Sequence, residues 1–167
     1  MVSTVLATNQ ISFIDDESPP EGREHTWPIH IMVKCEAMII SRVLIDNGLS
    51  LNVFPMSTIE CLNMDTSLIY PTTMIIRAFD GTLREVPSEI ELAIGIGPMF
   101  FMVNFQVIKV DSSYNMLLGR TWLHVAGAIA SNLHWRLKFP FEGLLITIMA
   151  EEPPDFLQGD FCPLYWF

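Results

Sequence analysis

The chain has 167 residues, 50% of them hydrophobic and only 17% charged, and 9 Lys and Arg against 19 Asp and Glu leave a net charge of −10. That length suits one domain with enough apolar side chain for a real core, and the apolar content excludes a mainly disordered chain. The negative balance excludes nucleic acid as a partner held through its phosphates, because such binding needs a basic surface.

The acidity is not spread evenly. Residues 1–24 carry five acids and one base, and residues 151–167 carry four acids and no base, so −8 of the −10 belongs to the two ends. Asp15-Asp16-Glu17-Ser18-Pro19-Pro20 and Glu151-Glu152-Pro153-Pro154-Asp155 read as solvated linkers. The expected organisation is an acidic flexible flank over residues 1–25, a domain over 26–150, and an acidic, aromatic tail over 151–167. Apolar runs such as Met99 to Val103 and Leu144 to Met149 fall far short of the ~20 residues that span a membrane, so no membrane partner is expected. No basic stretch precedes an apolar one at the N-terminus, as a secretory signal requires. Cys35, Cys61 and Cys162 are odd in number and widely spaced, which reads as free thiols in a reducing compartment. Together these features point to an intracellular, cytoplasmic protein.

In chain order, the body reads as many short strands with little helix. Pro28 to Lys34 alternates loosely, and Arg42-Val43-Leu44-Ile45 is a short apolar run ending at Asp46. Ser57 to Leu62 offers one or two helical turns after Pro55. Met74 to Phe79 and Thr82 to Val86 flank Asp80-Gly81, a strong hairpin signal because glycine accepts a positive φ without steric cost. Glu89 to Ile94 alternates as a half-exposed strand, Gly97-Pro98 turns the chain, and Phe100 to Ile108 continues as a strand. Met116-Leu117-Leu118 ends at Gly119. Arg120 to Ala128 then fits a short helix with Trp122, Leu123, Val125 and Ala126 as its apolar face. Strands spaced at roughly ten residues favour a barrel or sandwich over a parallel α/β sheet. No internal repeat is evident.

Most chemistry is excluded by spacing. His25, His30, His124, His134 and the three cysteines form no C-x-x-C, H-x-x-x-H or H-E-x-x-H pattern, so neither a metal nor another cofactor is expected. Gly95-Ile96-Gly97-Pro98 lacks the third glycine of a phosphate cradle, and Ser50 misses the nucleophile-elbow spacing. What remains is Val43-Leu44-Ile45-Asp46-Asn47-Gly48, a carboxylate at the end of an apolar strand just before a tight turn. Asp-Asn-Gly alone is ordinary turn chemistry. Here it is followed, in order, by the Asp80-Gly81 hairpin and by Leu117-Leu118-Gly119-Arg120 leading into a helix.

This ordered set resembles the retropepsin-like aspartic protease domain of plant Gypsy-type long-terminal-repeat retrotransposon polyproteins, over residues 27–140. The resemblance implies an all-β, closed-barrel acid-protease fold with one short helix toward the C-terminal side. It implies Asp46, Asn47 and Gly48 as the catalytic motif, Phe79, Asp80 and Gly81 as a flap over substrate, and Leu118, Gly119 and Arg120 as a structural motif. Two aspartates sharing one proton across a water would hydrolyse peptide bonds in an extended peptide or polyprotein substrate. Since the chain holds one such motif, the second aspartate must come from another copy, which makes the implied enzyme a homodimer. Asn47 replaces the family's Ser or Thr, and Leu49 replaces a small residue. These two departures support an alternative reading, a relic that keeps the fold for dimerisation or peptide binding; an unrelated β-barrel binding domain is the third.

Overall fold

In a computed structural model of the protein, residues 2–6, 11–17, 27–77, 80–152 and 164–166 are described. In chain order they form β1 (Val2–Leu6), β2 (Ile29–Cys35), β3 (Met38–Ile45), β4 (Val53–Pro55), α1 (Met56–Cys61), β5 (Tyr70–Arg77) and β6 (Leu83–Ile96). There follow β7 (Met99–Ile108), β8 (Met116–Leu118), α2 (Arg120–Ala126), β9 (Ile129–Ser131), β10 (Arg136–Phe141), β11 (Leu144–Met149) and β12 (Leu164–Trp166). The fold is mostly β, as the strand spacing implies. Strands β3, β2, β6, β7, β4 and β8 follow one another in the sheet, and β8 pairs back onto β3, so the six close into a barrel.

Apolar alternation fills that barrel. In β2, Ile29, Ile31, Val33 and Cys35 are buried while Met32 and Lys34 are exposed, the period-two pattern of a strand with one face inside. Strand β3 breaks the period once: Met38 and Ile40 are buried, then Val43 and Ile45. The break is a bulge opposite Ile31–Val33, where Arg42 takes φ +51. That unusual backbone is tied down from two sides. The Arg42 N–H donates to Glu151 Oε1 at 2.8 Å, and the Asn115 N–H donates to the Arg42 carbonyl at 3.0 Å. Without the bulge the face assignments of Val43 to Ile45 would invert.

Strands expected as separate pieces at 82–86 and 89–94 are one strand, the 14-residue β6. Its first part pairs with β5 in a projecting hairpin, and from Ser88 to Ile96 it pairs with β7. Gly81, at φ +81, turns the hairpin, as the Asp80-Gly81 pair predicts. The helix expected to run to Ala128 stops at Ala126, because Gly127 adopts the left-handed conformation (φ +62) and the Ala128 N–H bonds back to the Leu123 carbonyl at 2.8 Å. Trp122, Leu123 and Ala126 are buried as expected. Val125, which lies at the edge of that stripe, is instead 81% exposed.

A second sheet, β1-β11-β10-β9, shares the barrel's core through Leu137, Phe139, Ile146 and Ile148. The β6–β7 turn at Gly97 lies against it, with space for an added Cβ limited to 3.2 Å by Ile148 and 3.3 Å by Ile146. Phe101 joins the layers, packing edge-on against Trp122 of α2 and Phe139 of β10. Parts of both flanks are paired with the body through their backbones, while Val2, Ser3, Thr4, Asp15 and Asp16 remain exposed. Residues 2–6 pair with 144–148, and 164–166 pair with 38–40. The Glu151 N–H donates to the His30 carbonyl at 2.7 Å. A further difference concerns the thiols: Cys35 is free and buried, whereas Cys61 is disulfide-bonded. Burial, reinforced by Glu36, pushes the Cys35 thiol up to about 11 and leaves it unreactive.

The sharpest electrostatic link is at the N-terminal side. Lys138 is buried on β10, and its ammonium reaches both oxygens of Glu17 at 2.7 and 2.8 Å, the Ser12 carbonyl at 2.8 Å and the ring of Phe13 at 4.7 Å. Burial by itself would raise Glu17, but hydrogen bonds from Lys138 and the Ile14 backbone, with the charges of Lys138 and Arg136, hold it below its ordinary 4.5. A depressed carboxyl contributes stability above its unfolded pKa and loses it as the pH falls through the folded value. Glu17→Gln is therefore expected to lower stability by about 1 kcal/mol at pH 7, allowing for solvent screening. The gap between variant and wild type should close in urea titrations below pH 4.5.

Candidate active site

Asp46 is placed by the way three strands interlock. Leaving β3, the chain forms a loop over residues 46–52 and returns as β4. Strand β8 lies between them, parallel to β3 (Val43↔Met116, Leu44↔Leu117, Ile45↔Leu118) and antiparallel to β4 at Val53↔Leu117. The loop must therefore cross the end of β8, where Gly119 stands. A Cβ on Gly119 would overlap the carbonyl oxygens of Leu51 and Leu49. Glycine is required there for close approach; its φ of −95 is one that any residue adopts.

Backbone hydrogen bonds fix the crossing. The Asp46 N–H donates to the Leu118 carbonyl at 3.1 Å, and the Arg120 N–H donates to the Leu49 carbonyl at 2.7 Å. The Gly119 N–H, buried, donates to Asn52 Oδ1 at 2.9 Å. Asn52 Nδ2 in turn donates to the Asn104 carbonyl, and the Asn52 carbonyl accepts from the Gln106 N–H at 2.8 Å. Asn52 is thus the buried polar bracket between the loop, β8 and β7. In the sequence Asn52 stands six residues after Asp46, within Ser50-Leu51-Asn52-Val53, a segment that shares in the family resemblance but does not by itself give Asn52 this role.

Within the loop, Asp46 Oδ1 accepts from the Gly48 N–H at 2.8 Å, and a Cβ on Gly48 would sit 3.1 Å from that oxygen. The carboxylate is half-buried, and Asn47 and Gly48 are exposed. It opens on a cleft of about 270 Å³ lined by Asp46 and Asn47 with Pro28, Leu44, Ala130 and Asn132. Tyr114, not singled out from sequence, is half-buried beside it; burial first, and then the negative charge of Asp46, push its phenol up. Chemically, a half-buried carboxylate held by one backbone N–H and open to that cleft can accept a proton from a water there.

The structure thus brings Asp46, Gly48, Leu118, Gly119 and Arg120 into one hydrogen-bonded unit, with Leu118 buried and the Arg120 side chain exposed. Asp80 and Gly81 stand apart at the tip of the β5–β6 hairpin, where Asp80 Oδ1 accepts from the Thr82 N–H at 2.9 Å. Phe79 lies outside the described residues. Among the described residues no cluster of three or more His, Cys, Asp or Glu is placed to hold a metal ion, and no helix is long and apolar enough to cross a membrane.

Two solved structures share this architecture. The retroviral protease-like domain of Ddi1 from Leishmania major superposes with a TM-score of 0.58 at 14% identity, covering 80% of this chain and all of that one. The retropepsin-like aspartic protease from Rickettsia conorii gives 0.51 at 18% identity, covering 90% of this chain and 93% of its own. The fold is retropepsin-like. No family model and no curated protein sequence matches the chain. In this retropepsin-like barrel the tight crossing makes a sharp mutational contrast. Gly119→Ala should cost about 3 kcal/mol or more, since backbone must move on both sides. Gly81→Ala, with open space around it, should cost only about 1 kcal/mol for its positive φ. Thermal or urea unfolding of the two variants checks this.

Proposed function

We propose that the protein is an aspartic endopeptidase of retrotransposon origin that acts as a homodimer, with Asp46 from each copy on the two-fold axis. The observation that carries the reading is the position of Asp46: at a barrel rim, on a loop braced by β8, with its carboxylate turned to an open cleft. Two such carboxylates a few ångströms apart cannot both ionise cheaply, so the pair holds one proton. The charged partner takes a proton from the attacking water, and the protonated one polarises the scissile carbonyl. The β5–β6 hairpin supplies the covering element. Its Ile75 and Leu83 side chains, 59% and 67% exposed, are free to pack on an extended peptide.

The test is cleavage of a mixed peptide library across pH 3–7. Activity should follow a bell-shaped profile on the acid side and fall at least about a thousandfold in Asp46→Asn. Sedimentation should show a dimer. A strict monomer, or cleavage unchanged in Asp46→Asn, overturns the proposal.

The second reading, a non-catalytic relic, is favoured by the loop itself. Asn47 is exposed at the rim, and Leu49 occupies the turn whose carbonyl meets Arg120. A short hydroxyl at 47 could bond across the axis in a way the longer amide cannot reproduce. The double variant Asn47→Ser with Leu49→Ser separates the readings. Activity gained by the variant over an inactive native chain means the scaffold is sound and the native site disabled, whereas a native chain already active excludes the relic.

A further inference from the structure

A second concavity lies away from the Asp46 carboxylate, between β7, α2 and the back of the 46–52 loop. It has a volume of about 510 Å³, and Phe100, Met102, Trp122 and Val125 are among its lining residues. None of its lining residues is shared with the cleft beside Asp46. Three of the four are conspicuously uncovered for their type: Phe100 and Met102 are each 65% exposed, and Val125 is 81% exposed. Large apolar side chains gathered around one groove mark a binding surface more than scattered ones do.

The groove also follows a free sheet edge. Strand β7 pairs with β6 from Met99 to Val107, but β4 covers its other edge only from Gln106 to Ile108. In a strand the N–H and C=O of one residue point to the same edge, and the edge alternates along the chain. The Gln106 N–H and the Asn104 carbonyl both bond to Asn52, so even-numbered residues face the β4 edge. The β6–β7 register runs without a bulge from Ser88 to Ile96, so the parity holds to the end of the strand. The backbone groups of Phe100 and Met102 therefore point over the groove, and among the described residues no strand pairs with them there.

Two residues that line the groove each bury a polar atom beneath its surface. Gln106 is 5% exposed and Trp122 is 2% exposed, yet among the described residues Gln106 Oε1 and Trp122 Nε1 have no hydrogen-bond partner. The Gln106 amide cannot simply flip, because its Nε2 donates to Glu89 Oε1 at 3.0 Å. An acceptor and a donor are thus both unpaired just beneath a mainly apolar groove, a standing cost of burial at this place. Glu89, the one charged residue lining it, has its carboxylate occupied by Tyr70, Asn104 and Gln106. Among the described lining residues no other charged side chain is present to pair with a ligand charge.

We propose that this edge and groove bind an extended, uncharged peptide segment of another protein, added as a strand beside Phe100–Asn104 with a large apolar side chain seated between Met102, Trp122 and Val125. An extended peptide is the ligand whose backbone alternates donors and acceptors at the spacing of the free edge. The site is separate from peptide cleavage and does not require it.

The probe is an acetylated, amidated heptapeptide alternating serine with leucine or phenylalanine, titrated into the full-length Asp46→Asn protein and followed by amide and indole NMR. The expected result is saturable shifts at the Phe100, Met102 and Asn104 amides and at the Trp122 indole. Met102→Pro removes an outward N–H without touching a β6 bond, a position where a strand tolerates proline. It should weaken binding about tenfold, as should Val125→Glu on the exposed helix face, which keeps the test open if the proline variant does not fold. Shifts confined to residues 46–50, no shifts at all, or unchanged affinity in both folded variants overturns the proposal. Shifts of the same amides with protein concentration alone assign the edge to a second copy and also overturn it.

Discussion

The 46–52 loop passes over Gly119 more tightly than any backbone passes another described glycine, and the rest of the site depends on that crossing. Strand β8 is only three residues long, too short to hold a position by its own pairing, so it is trapped between β3 and β4. The barrel closes through that trapped strand. Because the loop carbonyls of Leu49 and Leu51 rest on a residue without a side chain, the Asp46 backbone can reach Leu118 and the Arg120 N–H can reach Leu49. The carboxylate is then oriented by ladder geometry rather than by its own side-chain contacts, apart from the single bond from Gly48.

Around this crossing the polar interior is sparse and bracketed. Asn52 satisfies the Gly119 N–H and ties the loop to β7, and Asn115 with Glu151 holds the strained Arg42 bulge that sets the phase of Val43 and Ile45. Each bracket works on backbone groups that would otherwise be buried and unpaired, which is why short amides and one carboxylate suffice. The exceptions, Gln106 Oε1 and Trp122 Nε1, sit together on the far side of the same loop. Among the described residues the Asp46 rim is bracketed by hydrogen bonds while two buried groups stay unpaired near a free edge, so the two surfaces differ in character. One is built around a carboxylate and one around a strand edge.

Physical reasons separate what could be read along the chain from what could not. The strand spacing, the Asp80-Gly81 and Gly97-Pro98 turns and the short helix after Gly119 follow from local chemistry, and the structure has all of them. The continuity of β6 through residues 86–89 was not legible, because a strand shared between two partners looks interrupted when each half carries its own pattern. The attachment of residues 2–6 and of Glu17 was hidden for a similar reason. An acidic segment reads as solvated until a buried Lys138 elsewhere is known to need a partner. The disulfide at Cys61 was equally invisible, since spacing alone does not bring distant cysteines together.

The sequence by itself determined the alternation that fills the barrel, the single Asp-Asn-Gly motif and its order relative to the hairpin and Gly119, because turn residues and period-two patterning act over a few neighbours. Only the tertiary structure decided that β8 threads between β3 and β4, that Asn52 is the bracket, that Val125 faces solvent and that β7 keeps an open edge. Those facts depend on which strands meet across 50 or more residues of chain, and closure of a barrel settles them all at once.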